Sequence, residues 1–361
     1  MTGRQAIPAP FTKGVNFTMW LEFRKADQIF ADMFTKRDFE NVKKLGCDVV
    51  RIPIHFENFC DPDNGYVIDS KILGILDNVA AWADELLMYV IFDFHNNTHA
   101  DSKTSTDVEG VLTPIWTQMA ERYRDRTPYI VYELMNEPHG IDIPVWNEII
   151  SRVFEKVRAI DPNHYIIVGG ADWNSFNGMK ALPAFKDDKV IYTFHFYDPH
   201  TFTHQGANWA HMERVVGIPF PYDEAKMPSL PEDATPEERE KIENYKNVGT
   251  LEAVTQFFDQ YVDFSIERNA PVYCGEFGCF APFAKREERV NWYSIVTKLL
   301  TEKNIARTSW DYYGSFGIFD FAKLTERFKR MREKKEPMKP LEFPGDLDMD
   351  IVKALGMNTE L

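Results

Sequence analysis

Short apolar runs alternate along this chain with longer segments in which apolar residues recur every three or four positions. GVNFTMW (14–20) comes first, followed by TKRDFENVKKLG, which predicts a helix with Thr35 as N-cap and Gly46 as its stop. DVVRIPI (48–54) precedes a second helical stretch that begins near Ser70 and runs through DNVAAWADELL. LMYVIFDFH (87–95) leads into the amphipathic IWTQMAERYRDR, and PYIVYELMNEP (128–138) into VWNEIISRVFEKVRAI, again at helical period. YIIVGGADW (165–173), KVIYTFHFY (189–197), PVYCGEF (271–277) and IARTSWDY (305–312) complete a set of about eight strands.

Most of these runs are nearly continuous in apolar residues, as parallel strands covered on both faces must be. Alternating βα units with such strands call for a doubly wound sheet or a (β/α)8 barrel. No GxGxxG or GxxxxGK[ST] turn follows any strand, which removes the main support for a nucleotide-binding sheet. About eight units over 361 residues suit an α/β fold of the TIM-barrel type with insertions. No internal repeat or linker divides the chain, so residues 1–361 read as one catalytic domain. The segment outside the pattern is an extended loop after strand six, 198–250. It opens with DPHTFTHQGANW and continues into PSLPEDATPEEREKIENYK, whose latter part predicts a surface helix capped at Thr235. Leaving strand six at its C-terminal end, it either walls part of a cleft or is a solvated insertion.

A barrel keeps its chemistry at the C-terminal ends of its strands, and the polar residues of this chain gather there. Strand one carries Asn16 and ends near Trp20; strand two contains Arg51 ahead of His55; strand three closes on Asp93, His95 and Asn96. Strand four ends at Asn136 and Glu137, strand five at Trp173, strand six at His195 and Tyr197, strand seven at Glu276 and strand eight at Trp310. Random scatter through loops would not place them so, and together they predict a site.

Composition narrows what that site can take. A hydrophobic content of 44% with 14% aromatic residues fills a large core and leaves aromatic rings over for a cleft. Lys plus Arg is 41 against 56 Asp plus Glu, a net charge of −15, which disfavours nucleic acid and anionic membrane as partners and costs a neutral substrate nothing. No apolar run is long enough to span a bilayer. The start, MTGRQAIPAPFTKG, lacks the apolar core of a signal peptide, so the protein is either cytoplasmic or a secreted or periplasmic protein whose sequence begins after processing. Cys47, Cys60, Cys274 and Cys279 form no CxxC pair and have no histidines near them, which argues against structural zinc and for free thiols.

Glu137 and Glu276, at the ends of strands four and seven, would face each other across an eight-stranded barrel. Two carboxylates across a cleft are what cleavage of a glycosidic bond needs: one protonated to donate to the leaving oxygen, the other ionised to attack or to activate water. The neighbours suit those roles. Asn136 can bond a sugar hydroxyl without altering the charge balance; Tyr197 and Arg51 can donate to Glu276 and keep it ionised. His95 and His195 can bond sugar hydroxyls or adjust the acid. Trp20, Trp173, Trp209 and Trp310 offer flat faces to pyranose rings.

The set resembles glycoside hydrolase family 5, whose catalytic glutamates end strands four and seven. NEP (136–138) is similar to the family's acid/base motif and GEFG (275–278) to its nucleophile motif; VRIPI with Arg51, DFH with His95, HFY with His195 and Tyr197, and SW with Trp310 match further positions. HQGANW (204–209) is similar to a stretch in endoglucanases and glucanase/mannanases of the family, which implies glycone-side contacts for His204 and Trp209. The resemblance implies a retaining endo-β-1,4-glycanase, with Glu137 as acid/base and Glu276 as nucleophile, needing no metal or organic cofactor. It would act as a monomer on β-linked oligo- and polysaccharide. Endo-β-1,4-glucanase is the leading expectation; a β-mannanase or xyloglucanase using the same pair, or a catalytically silent carbohydrate-binding barrel, are the alternatives. One departure concerns strand three, where many relatives carry a second histidine and this chain has Asn96 after His95.

Other polar residues are expected to be structural. Glu133 shares a face with Glu137 and should point into the barrel, paired or protonated. Asp93 should pack or orient, and His139 should hold the loop after Pro138. His164 reads as a turn residue. Asn147 and Glu148 repeat the NE pair inside a helix, on its surface. Cys274 alternates in phase with Glu276 and is expected inside the barrel.

Overall fold

The computed structural model of the chain describes residues 4–23, 25–95, 102–230, 232–334 and 341–361. Eight parallel strands close into a barrel: β1 (Lys13–Asn16), β2 (Val49–Ile54), β3 (Tyr89–Phe94), β4 (Ile130–Glu133), β5 (Tyr165–Gly169), β6 (Val190–Phe196), β7 (Val272–Phe277) and β8 (Ala306–Ser309). Each pairs with its neighbours in chain order, and β8 closes on β1 with Lys13 opposite Arg307. The connecting helices include α1 (Lys36–Lys44), α2 (Ser70–Leu86), α3 (Glu109–Tyr123), α4 (Ile143–Ile160), α5 (Phe176–Ala181), α6 (Leu251–Arg268) and α7 (Arg286–Glu302). The (β/α)8 architecture expected from the apolar runs is therefore present. Thr35 caps α1 through a capping box with Asp38, where the sequence put it.

The barrel interior is layered, and the layering positions the site. Val49, Ile91, Val131, Ile167, Ile191, Tyr273 and Ala306 form an apolar floor, closed from below by Phe11. Two residues further along the strands, where side chains return to the same face, the interior turns polar: Asn16, Arg51, Asp93, Glu133, Thr193 and Thr308 are all fully buried. The next inward positions are at the mouth. Outward-facing residues of the same strands join the helices in the main core, in which Trp116, Trp146 and Trp292 are completely buried.

Alternation is broken once, and at the place that matters most. Phe194 pairs with Cys274 but His195 pairs with Glu276, so Gly275 is an extra residue on β7. The bulge resets the phase: Tyr273 and Glu276 face inward, while Cys274 packs in the outer core. The expectation that Cys274 fills the interior is corrected by this inserted residue. A Cβ at Gly275 would lie 2.9 Å from Thr193 Oγ1 and 3.1 Å from His195 Nε2, so only glycine fits comfortably there.

The segment after β6 divides in two. Its first part turns tightly at Gly206 (φ 76°), where a Cβ would strike the Phe283 ring, and carries His204 and Trp209 to the barrel mouth. Its second part contains the helix Pro236–Val248, capped by Thr235 with Glu238, whose Tyr245 is buried and donates to Pro219 O at 2.6 Å.

Candidate active site

Arg51 is the centre from which the site is built. It rises from β2 into the polar layer with no solvent exposure, and all the acceptors around it come from other strands. Nε and Nη2 donate to Glu133 at 2.7 and 3.1 Å; Nη2 also meets Asn136 Oδ1 at 2.7 Å and Asp93 Oδ2 at 3.0 Å; Nη1 donates to Asn16 Oδ1 at 2.9 Å and Glu276 Oε1 at 2.8 Å. Burial alone would favour the neutral form, but the carboxylates of Asp93, Glu133 and Glu276 raise the arginine's pKa well above its usual value. The reciprocal cost falls on Glu133. Burial and the nearby Asp93 push its carboxyl up against the pull of Arg51, because one guanidinium is shared among three acids.

Glu276 comes out of the bulge with Arg51 on one oxygen and the Tyr197 hydroxyl, 2.8 Å away, on the other. Burial would raise its pKa, but His195, Arg51 and His95, with the Tyr197 hydrogen bond, outweigh burial and hold it below the usual glutamate value. Glu137 lies opposite. His195 Nδ1 sits 2.5 Å from Glu137 Oε1 and 3.7 Å from Glu276 Oε2. A carboxylate at that distance calls for a proton on Nδ1. Burial lowers the His195 pKa, yet the charges of Glu276 and Glu137 carry it above the ordinary histidine value. One oxygen of each glutamate and a His195 ring nitrogen lie within 4.8 Å of one another.

The rim is aromatic. Trp310 stacks on His95 with ring centroids 5.7 Å apart, and His95 Nδ1 bonds Asp93 Oδ2 at 2.7 Å. Asp93, with Glu22 and Glu276, keeps His95 protonated up to about 9 in spite of the burial that opposes it. Across the mouth, Trp173 lies flat on His139 with centroids 3.6 Å apart. Asp172, Trp173 and Asn174 all adopt positive φ, a costly run for non-glycine residues. The run is tied down by Trp173 N to Pro138 O at 3.1 Å and by Asn174 Nδ2 to Asn136 O, so the turn after β5 grips the end of β4.

A profile of the cellulase (glycosyl hydrolase family 5) family matches residues 13–315. The chain belongs to that family. Similar proteins include Endoglucanase 3 of Fibrobacter succinogenes, 28% identical over 338 residues, which are 87% of this chain and 51% of that protein. Endoglucanase C of Acetivibrio thermocellus is 28% identical over 318 residues, 84% of this chain and 91% of that one. The chain thus spans about half the length of the first relative and most of the second. Endoglucanase Cel5A of the hyperthermophile Thermotoga maritima shares the fold, with a TM-score of 0.75 at 24% identity, over 95% of this chain and 96% of that one. The protein is a glycoside hydrolase with the family 5 barrel.

Within this family 5 barrel the polar residues anticipated at the strand ends sort into three groups. Glu137, Glu276, His195 and Tyr197 converge, with Asn136 beside them. His95, Trp173, Trp209 and Trp310 line the mouth; Trp209 is half exposed and edge-on to Phe280. His204 is largely buried, stacked on His200 and edge-on to Tyr197, and burial drives its pKa well down, so it stands there neutral. Asn96 lies outside the described residues.

Three residues expected to touch substrate are buried behind or beneath the mouth. Trp20 is 1% exposed, packed edge-on to Phe34 with its indole N–H given to Phe30 O at 3.1 Å, so it has no free face to offer. Asn16 is fully buried, its amide N donating to Gly275 O at 3.1 Å and Ser309 O at 3.2 Å and its oxygen taken by Arg51. Arg51 lies beneath Glu276 and Asn136 rather than at the surface of the cleft. Glu133, by contrast, is interior and paired with Arg51, and His139 holds the loop through Glu137 O at 2.7 Å and Thr104 Oγ1 at 3.0 Å.

Glu22 was not anticipated. It is buried in the loop after β1, accepts from Met19 N, and lies 4.0 Å from His95 Nε2. Burial, with the charges of Glu276 and Asp93, raises its pKa to about 7 although His95 pulls it down. Its only sequence signal is an acid set between Leu21 and Phe23. Asp311 is a second such residue, buried directly after Trp310 and accepting from Thr18 Oγ1 at 2.6 Å; burial raises its pKa to about 8.

Proposed function

We propose that the protein is a retaining endo-β-1,4-glucanase that cleaves internal bonds of a cellulose-type or mixed-linkage glucan by double displacement. The observation that carries this is the pair Glu137 and Glu276, whose nearest oxygens lie within 4.8 Å. Retaining glycosidases hold their carboxyl groups about 5–5.5 Å apart, whereas inverting ones need about 6.5–9.5 Å to admit a water between acid and base. Glu276, held ionised by Arg51 and Tyr197, attacks the anomeric carbon while Glu137 protonates the departing oxygen. Glu137 then takes a proton from the water that releases the glycosyl ester, regenerating both groups. His195 donates to Glu137 between the two glutamates and can follow that change of charge.

Asn136 supports the same reading. Its oxygen is held by Arg51 while its buried Nδ2 has no partner among the described residues, which leaves a donor beside the nucleophile for a sugar 2-hydroxyl. Trp310 and Trp209, both packed beside Phe280 and Phe316, and Trp173 on His139 offer ring faces to sugars on either side of the scissile bond. A polymer of this kind fits a secreted or periplasmic enzyme acting as a monomer.

A β-mannanase activity is the second reading. Thermotoga maritima Cel5A, which shares the fold at 23% identity, has been seen in complex with mannotriose and with cellobiose. Release of reducing sugar from carboxymethylcellulose, glucomannan and xyloglucan ranks the substrates, and the anomer formed first from a cellooligosaccharide, followed by NMR, reads the stereochemistry. Glu276→Gln should abolish turnover of every substrate. Glu137→Ala should keep measurable activity on aryl glycosides with good leaving groups, which need little protonation. Release of no sugar from any polymer would sink the enzyme reading; first formation of the α-anomer would sink retention alone.

A further inference from the structure

Phe283 stands in the loop between β7 and α7, at the end of the barrel where the strands finish, and 46% of it is exposed. An exposed phenylalanine is ordinary on its own, but this one is held in place. A Cβ on Gly206 would meet its Cγ and Cδ2 at 2.3 Å and its Cδ1 at 2.7 Å, so the ring lies face-on to that glycine. One face is therefore covered by the backbone of the segment after β6, and the exposed area belongs to the opposite face and the edge. The loop itself is fixed by Phe280 N to Thr203 O and Ala281 N to Ser315 O, both at 2.8 Å.

The ring continues an aromatic row that begins at the nucleophile. Tyr197, hydrogen-bonded to Glu276, lies edge-on to Phe316 with centroids 6.2 Å apart; Phe316 meets Phe280 at 5.4 Å, and Phe280 meets Phe283 at 6.0 Å. Trp209 stands edge-on to the same Phe280 at 4.8 Å. Phe280 and Phe316 are buried and support the row from within, while Trp209 and Phe283 are the rings open to solvent at its outer end.

We propose that Phe283, with Trp209, forms a further sugar subsite outside the catalytic centre, one that only longer β-1,4-linked chains reach. The faces of a β-glucopyranose ring carry C–H groups, and their match is a flat apolar surface whose position is already fixed, so that little ordering is required on binding. The continuity of the row with Tyr197 points to the polysaccharide, rather than a protein, as the occupant. A neutral glycan also escapes the repulsion that a chain of net charge −15 presents to acidic partners. This inference rests on the glucanase reading above and adds to it a residue that sets the preference for chain length.

Kinetics on cellotriose, cellohexaose and an aryl cellobioside, for the native enzyme and for Phe283→Ala, Phe283→Leu and Phe283→Tyr, test this. Covering a phenylalanine that is about half exposed changes affinity by about three- to tenfold. Phe283→Ala should raise KM for cellohexaose by that factor with kcat unchanged, as loss of uniform binding does, and leave kcat/KM on the aryl cellobioside as it was. Phe283→Leu keeps apolar bulk on Gly206 but not the flat face, and should lose most of the same affinity; Phe283→Tyr should behave as native. Equal losses on cellohexaose and the aryl cellobioside, or a native KM for cellohexaose in Phe283→Ala, overturn the proposal. So does self-association of the native protein that Phe283→Ala abolishes, which would make the ring an interface between copies. Should Phe283→Ala fail to fold, Phe283→Leu is judged by the same criterion. A native enzyme that hydrolyses the aryl cellobioside without preferring cellohexaose to cellotriose sinks the subsite alone; hydrolysis of none of the three sinks the glucanase reading with it.

Discussion

Replacing Tyr197 by phenylalanine removes one oxygen and tests how the site keeps its nucleophile charged. The Tyr197 hydroxyl donates to Glu276 Oε2 at 2.8 Å, while its ring packs edge-on against His204 and Phe316, contacts a phenylalanine retains. A hydrogen bond to a charged group contributes about 1.5–3 kcal/mol, and one pKa unit corresponds to about 1.36 kcal/mol. Complete loss would therefore raise the Glu276 pKa by roughly 1–2 units. Two neighbours soften it: Arg51 still holds Oε1 at 2.8 Å, and His195 Nδ1, 3.7 Å from Oε2, can close on the freed oxygen. The lower end, about 1 unit, is the expected shift.

Glu276 must be ionised to attack, so the acid limb of kcat/KM follows its deprotonation. In the native enzyme that pKa is depressed. Losing a donor destabilises the carboxylate, so the acid limb of Tyr197→Phe should move up by about one pH unit, with the basic limb in place. Stability follows the same sign. A depressed carboxyl pKa contributes above the unfolded value and loses its contribution as pH falls through the folded value. Tyr197→Phe should thus be less stable by about 1 kcal/mol at neutral pH and equal to the native protein in strong acid. The assay is kcat/KM on an aryl cellobioside across the acid and neutral range, beside urea unfolding at both ends. An acid limb that stays fixed while kcat falls would refute the argument and place the Tyr197 hydroxyl on the sugar instead.

Asn136→Ala should lower kcat/KM on an aryl glucoside about a hundredfold but leave turnover of the 2-deoxy analogue almost unchanged; equal losses on both would mean that its amide serves the protein and not the 2-hydroxyl. Glu22→Gln probes the buried acid whose pKa rises from 4.5 to about 7. A raised carboxyl pKa favours the folded state below the unfolded value and loses that advantage as pH rises, so the glutamine variant should gain up to about 3 kcal/mol on the native protein above neutrality and little in acid. Thermal unfolding at the two pH extremes reads the difference, and a variant less stable at high pH would contradict it.

The contrast between what the sequence announced and what it concealed follows from the physics of a barrel. The strands were legible because both faces are covered: runs such as VVRIPI and VIYTFHF have no reason to be apolar throughout unless buried throughout. Glu137 and Glu276 were legible because each interrupts such a run at its end. Direction was not legible. Trp20 and Trp310 look alike as letters, yet Trp20 packs on Phe34 and Trp310 stacks on His95 at the mouth, and what separates them is the path of a loop. Arg51 and Asn16 were found, but one layer too high, because the sequence does not show where along the barrel axis the polar layer ends and the cleft begins.

Cys274 is the most informative failure. Simple alternation put it on the same face as Glu276, and it would be there but for Gly275. With a side chain at 275, a Cβ 2.9 Å from Thr193 Oγ1 would press the bulge apart. A regular β7 that kept Tyr273 in the floor would then turn residue 276 outward into the helical layer, away from Arg51 and Tyr197. The glycine of GEFG therefore does for Glu276 what the grip of Trp173 N and Asn174 on Pro138 and Asn136 does for Glu137. Each carboxylate is held by a backbone irregularity, and the space between the two irregularities is the space in which a glycosidic bond must fit.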